Sequence, residues 1–166
     1  AGREACRGPA PTPEQRELQR LAHEFADREL RPIAAEWDER EDFPPALLAK
    51  AARAGLTSYA VPAEYGGGGA DAVTSALIAE ELSWGCAGLA STLQATMFPV
   101  RPLAHFGSDA QRERYLSFLA REQGTLAAIA FTEAHAGSDL GAIRTQARRD
   151  GDEYVISGRK WFASAA

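Results

Sequence analysis

A change of hydrophobic period near Gly124 limits this chain's fold more than any other feature. Upstream of it, apolar residues recur at helical spacing; downstream they form short β-type runs. Leu18, Leu21, Phe25, the aliphatic part of Arg28 and Ile33 share one helical face, with charges on the other. Thr12-Pro13-Glu14-Gln15 opens that helix with an N-cap, a proline at the first helical position and a capping-box glutamine. Pro32 kinks or relays it. Pro44-Pro45 starts a second helix through Leu47, Leu48 and Ala52, with Gly55 placed to end it. Asp71 caps a third, carrying Val73, Leu77, Ile78 and Leu82. Residues 86 to 106 are too apolar for a surface helix and are expected as a buried core helix; Ser108-Asp109 caps a last one with Tyr115, Leu116 and Leu119. Past Gly124, strands are expected over Thr125 to Thr132, Arg144 to Arg149 and Glu153 to Phe162, the last two joined at Asp150-Gly151-Asp152. Helices first and strands after predict an α+β chain, an α-helical bundle followed by the opening of a β-domain. The expected divisions are a tail over 1–12, a helical domain over 13–123 and a partial β-domain over 124–166.

Charge and cysteine usage exclude several functions. With 18 Lys+Arg against 23 Asp+Glu the net charge is −5, which lacks the basic footprint of a nucleic-acid binder. No run of about 18 apolar residues spans a membrane, and no basic-then-apolar leader opens the chain. Cys6 and Cys86 are too few and too far apart for a disulfide framework. No CxxC or HxxxH occurs, and His23, His105 and His135 are scattered, so a metal centre is not expected. Only Lys50 and Lys160 are lysines, and alanine and arginine abound, which points to a GC-rich bacterial source and a cytoplasmic protein. The chain starts at Ala1, has Met97 as its one methionine and stops just after strand-like residues; it is expected to be a piece of something longer.

Three stretches bear on chemistry. Gly66 to Gly69 lacks the Lys-Ser/Thr of a phosphate loop and is expected as a flexible inter-helix loop with positive φ. Phe131 to Asp139 is an apolar strand breaking into hydroxyls, an acid and small residues. Its backbone N–H groups, with Thr132 and Ser138, suit a flat heterocycle with many acceptors or a phosphate. A polar turn with Asp139 capping the next segment is the competing reading, and His135 reads as a solvated loop histidine. In Lys160 to Ser164, strand geometry puts Trp161 and Phe162 on opposite faces and Ser164 on the face of Phe162. An aromatic beside a hydroxyl suits an isoalloxazine ring, and plain strand core is the alternative.

Taken in order, Val61-Pro62-Ala63-Glu64-Tyr65-Gly66-Gly67, Phe131-Thr132-Glu133 through Ala136-Gly137-Ser138-Asp139, and Asp150 through Phe162 closely resemble the acyl-CoA dehydrogenase family. They match its P-E-E-Y-G-G, T-E-P-x-A-G-S-D and G-x-K-x-W-I-T-N elements from about Pro13 to Ser164. The resemblance implies an N-terminal α-helical bundle and the first strands of a middle, β-barrel-like domain. It implies FAD as cofactor, with Thr132 at the flavin pyrimidine edge and Phe131 beside the ring. Ser138 falls at the pyrophosphate or the pantetheine arm of the substrate, and Phe162 and Ser164 fall against the ring and its reactive edge. Ala134 replaces the family's proline and Phe162 its tryptophan. The substrate implied is an acyl-CoA or acyl-carrier-protein thioester undergoing α,β-dehydrogenation, with electron-transfer flavoprotein or another acceptor as partner and a homo-oligomer as the assembly. The catalytic base is expected downstream of Ala166, and Glu133 is expected as a structural acid. Two other functions stay open: a flavin monooxygenase of the same fold and a non-catalytic helical binding module.

Overall fold

The computed structural model describes residues 10–121 and 125–163. Most of the expected tail, Gly124 and Ser164 lie outside the described residues. Among the described residues seven α-helices precede one hairpin, so the α+β order expected from the change of period is the one observed.

Helix α1 (Pro13–Phe25) begins as its sequence dictates, with reciprocal Thr12 and Gln15 capping-box bonds. Pro32 brings no N–H to the helical ladder, and the chain adapts through a π turn over Ala26–Leu30 and a 3₁₀ turn over Arg31–Ile33 before α2 (Ala34–Glu39). Helix α3 (Pro45–Arg53) closes in a Schellman motif. Gly55 takes φ +74, its N–H reaches the Ala52 carbonyl at 2.9 Å, and the Leu56 N–H reaches Ala51 at 2.9 Å. Asp71 caps α4 (Ala72–Gly85) through a 2.7 Å bond from the Thr74 N–H.

The expected single helix over 86–106 is two, α5 (Ala87–Gln94) and α6 (Met97–Phe106). Pro99 supplies the reason. It has no N–H, and only a first turn leaves that donor unneeded, so the helix restarts at Met97. Helix α7 (Asp109–Arg121) opens on a second capping box between Ser108 and Gln111.

The main core lies between α1, α3, α4 and α5. Ala22 of α1, with Ala26 and Leu30 of the π turn that continues it, forms a buried stripe facing Thr74, Ile78 and Leu82 of α4. Small residues set the approach here. A Cβ on Gly85 would fall 2.8 Å from that of Ala26. A second cluster of Val61, Val100, Leu116 and Leu119 sits under α6 and α7.

The glycine run corrects the expectation of a flexible loop. Gly66 and Gly69 have positive φ, but the run is packed onto the preceding turn. Gly68, Gly69 and Ala70 donate to Ser58, Val61 and Tyr59, and a Cβ on Gly67 would lie 2.2 Å from the Val61 carbonyl oxygen.

Strand β1 (Gln146–Asp150) pairs antiparallel with β2 (Glu153–Ser157) around Gly151, which takes φ +63. Two expected strand regions differ. Residues 125–132 form no ladder, because the helical body claims them. Leu126 and Ala127 pack on the two cores, and the Ala127 N–H donates to the buried Thr96 hydroxyl at 3.1 Å. The last strand ends at Ser157, five residues short of Phe162, so Trp161 and Phe162 do not occupy opposite faces of a strand. Among the described residues no helix is long and apolar enough to cross a membrane.

Leu30→Ala should lower the unfolding free energy by about 2–5 kcal/mol in urea titration, since the fully buried leucine has no room to be replaced by water. Gly67→Ala should also destabilise, because a backbone carbonyl stands where its methyl would go.

Candidate functional site

The irregular stretch 125–132 and the segment after β2 meet beside α5 and α6, and a cleft of about 230 Å³ opens between them. Ile129, Phe131, Thr132 and Phe162 form one side; Ser91, Ala95 and Phe98 form the other. The phenyl rings are poorly covered by the protein itself, Phe131 being 47% exposed and Phe162 84% exposed. Phe162 also has φ +56, a left-handed conformation that an aromatic residue adopts only under local constraint.

Two hydroxyls reach this cleft. Ser91 Oγ donates to the Gly88 carbonyl within α5 at 2.8 Å, so its proton is committed. Thr132 uses its carbonyl to accept the Trp161 N–H at 2.8 Å. Its hydroxyl makes no hydrogen bond to a described residue. Aromatic walls with one uncommitted hydroxyl at the edge can take a flat conjugated ring and hydrogen-bond its rim.

Thus three of the residues singled out in the sequence, Phe131, Thr132 and Phe162, come together. Ser138 does not join them; it is exposed in the turn before Leu140–Ala142 and does not line the cleft. Ser164 lies outside the described residues. The sequence reading missed Ser91, Ala95 and Phe98. Pro99 was the available signal, because a helix that must restart at Met97 leaves Phe98 at an exposed helix start.

Glu133 organises the loop beneath. Its backbone pairs with Ala136 in both directions, at 2.8 and 3.1 Å. Its carboxylate side chain is only 4% exposed. It accepts from the Arg144 N–H at 2.9 Å, the Thr145 N–H at 2.9 Å, the Thr145 hydroxyl at 2.5 Å and Lys160 Nζ at 2.9 Å. His135 Nε2 stands 3.3 Å away. The Thr145 hydroxyl above all, then the Arg144 amide and the Lys160 ammonium, hold this carboxyl far below the usual carboxylate range. A carboxylate so fully occupied is a poor proton acceptor. A larger hollow of about 590 Å³, lined by Trp37, Phe43, Asp38 and Asp42 among others, contains none of the residues expected at the flavin or the substrate.

The sign of the pH dependence follows from that depression. The carboxyl titrates lower in the folded chain than its ordinary 4.5, so its contribution is complete above that value and is lost as pH falls toward the folded pKa. Exchange protection of the Arg144 and Thr145 amides should therefore be constant from neutral pH to about 5 and weaken in more acid solution. Glu133→Gln should remove much of that protection at pH 7, as read by amide hydrogen exchange.

Residues 12–123 match the family model for the acyl-CoA dehydrogenase N-terminal domain, and residues 128–166 match that for the middle domain. A 3-(aryl)acrylate reductase from Clostridium sporogenes is 42% identical over 92% of this chain and 41% of its own length. A cyclohex-1-ene-1-carbonyl-CoA dehydrogenase from Geobacter metallireducens is 43% identical over 91% of this chain and 40% of its own. The chain thus spans about two fifths of these curated relatives. The structure of an acyl-CoA dehydrogenase complexed with FAD from Bacillus anthracis superposes with a TM-score of 0.80 at 36% identity, over 92% of this chain and 26% of that one. With both its helical and its strand-bearing regions matched, the chain belongs to the acyl-CoA dehydrogenase family.

Proposed function

We propose that this chain forms the N-terminal and early middle regions, 13–123 and 124–166, of an FAD-dependent enzyme that dehydrogenates acyl-CoA or carrier-bound acyl thioesters between Cα and Cβ. The observation that carries the reading is the Thr132 hydroxyl, which has no hydrogen-bond partner among the described residues and lines the same cleft as Phe131 and Phe162. When bound, the flavin supplies the hydride acceptor for the reaction. The residues present fit such a group. Phe131 and Phe162 cover a flat ring, and Thr132 donates to or accepts from its polar rim. Ser91, Ala95 and Phe98 would face the ring from the opposite side. Ser138 and Ser164 belong to the same proposal, Ser138 toward a pyrophosphate or pantetheine arm and Ser164 toward the reactive edge of the ring.

Among the described residues no carboxylate lines the cleft, and Glu133 is engaged elsewhere. The reading takes the base that removes the α-proton from outside this cleft, in sequence beyond Ala166. The reading includes electron-transfer flavoprotein or a similar acceptor, a homo-oligomer and a cytoplasmic setting. The 42% identity to an arylacrylate reductase favours a second direction for the same residues, reduction of an α,β-unsaturated acid derivative.

The longer protein that contains this chain should carry FAD and be bleached by an acyl-CoA under anaerobic conditions, whereas residues 1–166 alone, without the base, should not be bleached. Thr132→Val keeps the shape of the side chain and deletes the hydroxyl. It should weaken FAD binding by roughly tenfold to a hundredfold, the equivalent of about 1–3 kcal/mol for a polar group left unpaired. Undiminished flavin content and bleaching rate in that variant would remove Thr132 from the site.

A further inference from the structure

We infer that Lys160 is a positioning residue for the proposed flavin edge: its ammonium latches the segment after β2 onto the backbone of residues 131–133 and so sets where Phe162 stands. This inference rests on the flavin reading above. Lys160 Nζ donates to the Phe131 carbonyl at 2.9 Å and to Glu133 Oε1 at 2.9 Å. The next N–H, that of Trp161, donates to the Thr132 carbonyl at 2.8 Å. Three consecutive residues of one segment are thereby gripped by two consecutive residues of the other.

The grip is partly shielded from water, with the Lys160 side chain 23% exposed and that of Glu133 4%. A charge-assisted bond in such a place is stronger and more directional than a surface ion pair. Lys160 itself does not line the cleft, so it acts through Phe131 and Phe162.

The spacing Gly158–Arg159–Lys160 has a physical basis in this latch. A Cβ on Gly158 would fall 2.1 Å from Thr145 Oγ1, the same hydroxyl that donates to Glu133. Glycine lets the returning chain pass against Thr145, and two residues later the lysine reaches back to the same carboxylate. Immediately after the latch comes Phe162 with φ +56. Backbone in that region persists where neighbouring contacts over-determine it, and the Lys160 and Trp161 bonds are those contacts.

Removing the ammonium separates two functions of Glu133. The Arg144 amide, the Thr145 amide and the Thr145 hydroxyl still satisfy its carboxylate, so the loop keeps its hold on the start of β1. Only the segment carrying Phe162 is released.

Lys160→Met, Lys160→Gln and Lys160→Arg test this in the intact protein. In Lys160→Met, exchange of the Trp161 amide without added flavin should quicken by roughly tenfold or more, while the Arg144, Thr145 and Ile78 amides stay as in the wild type. Affinity for FAD, read by quenching of flavin fluorescence, should fall roughly tenfold to a hundredfold. Lys160→Arg, which keeps the charge and the donors, should recover both to within a few-fold. If Lys160→Met does not fold, Lys160→Gln carries the same test. An unchanged Trp161 amide, or a loosened one with unchanged FAD affinity, overturns the inference. A wild type that takes up no FAD overturns the flavin reading instead, and the exchange experiment then decides the latch by itself.

Discussion

A buried carboxylate has to be fully hydrogen-bonded or paired, and the arrangement around Glu133 follows from that requirement. Its donors come from the start of β1 and from the segment after β2, while its own backbone closes the loop onto Ala136. One side chain therefore registers three stretches of chain that have little regular structure of their own. The hairpin of β1 and β2 has exposed residues on both faces, so the hairpin's own side chains do little to place it. Its position beside the helical body is set largely through this carboxylate and through the Trp161 to Thr132 bond.

The helical body rests on a different constraint, close approach. Ala22 of α1, Ala26 of the π turn that continues it and Gly85 on α4 are small, and the larger Leu30, Ile78 and Leu82 fill the space alongside them. Dense packing of this kind makes one rigid wall of α1, α4 and α5. Ser91 of α5, with Ala95 and Phe98 following it, forms the side of the cleft that does not depend on the Glu133 network. The cleft thus joins a wall held by apolar packing to a loop held by a few directional polar bonds. These respond differently to perturbation. Acid reaches the loop through the Glu133 carboxyl, and reaches the wall through the Asp71 cap of α4 rather than through its apolar packing.

Local signals were legible wherever a short stretch dictates its own backbone. The capping box at Thr12, the caps at Ser108 and Asp71, the Gly55 ending, the relay at Pro32 and the turn at Gly151 all appear as read. Each depends on hydrogen bonds within a few residues. The first helix shows where pattern reading falls short. Large residues mark Leu18, Leu21 and Phe25, yet the fully buried stripe runs through Ala22, Ala26 and Leu30, because helix approach selects small side chains as readily as large ones.

By itself the sequence determined the helix-then-strand order, the cap chemistry and the residue types of the cleft, since composition and near-neighbour bonding set these. Only the tertiary structure decided that residues 125–132 pack on helices rather than join a sheet. It alone decided that the strand stops at Ser157, that Phe98 shares a cleft with Phe131, and that Ser138 points elsewhere than that cleft's lining. The physical reason is separation along the chain. Lys160 lies 27 residues from Glu133, and Thr96 lies 31 from Ala127. No local propensity encodes which distant donor will satisfy a buried acceptor; the folded chain settles it, and among the described residues no buried side-chain polar atom is left unpaired.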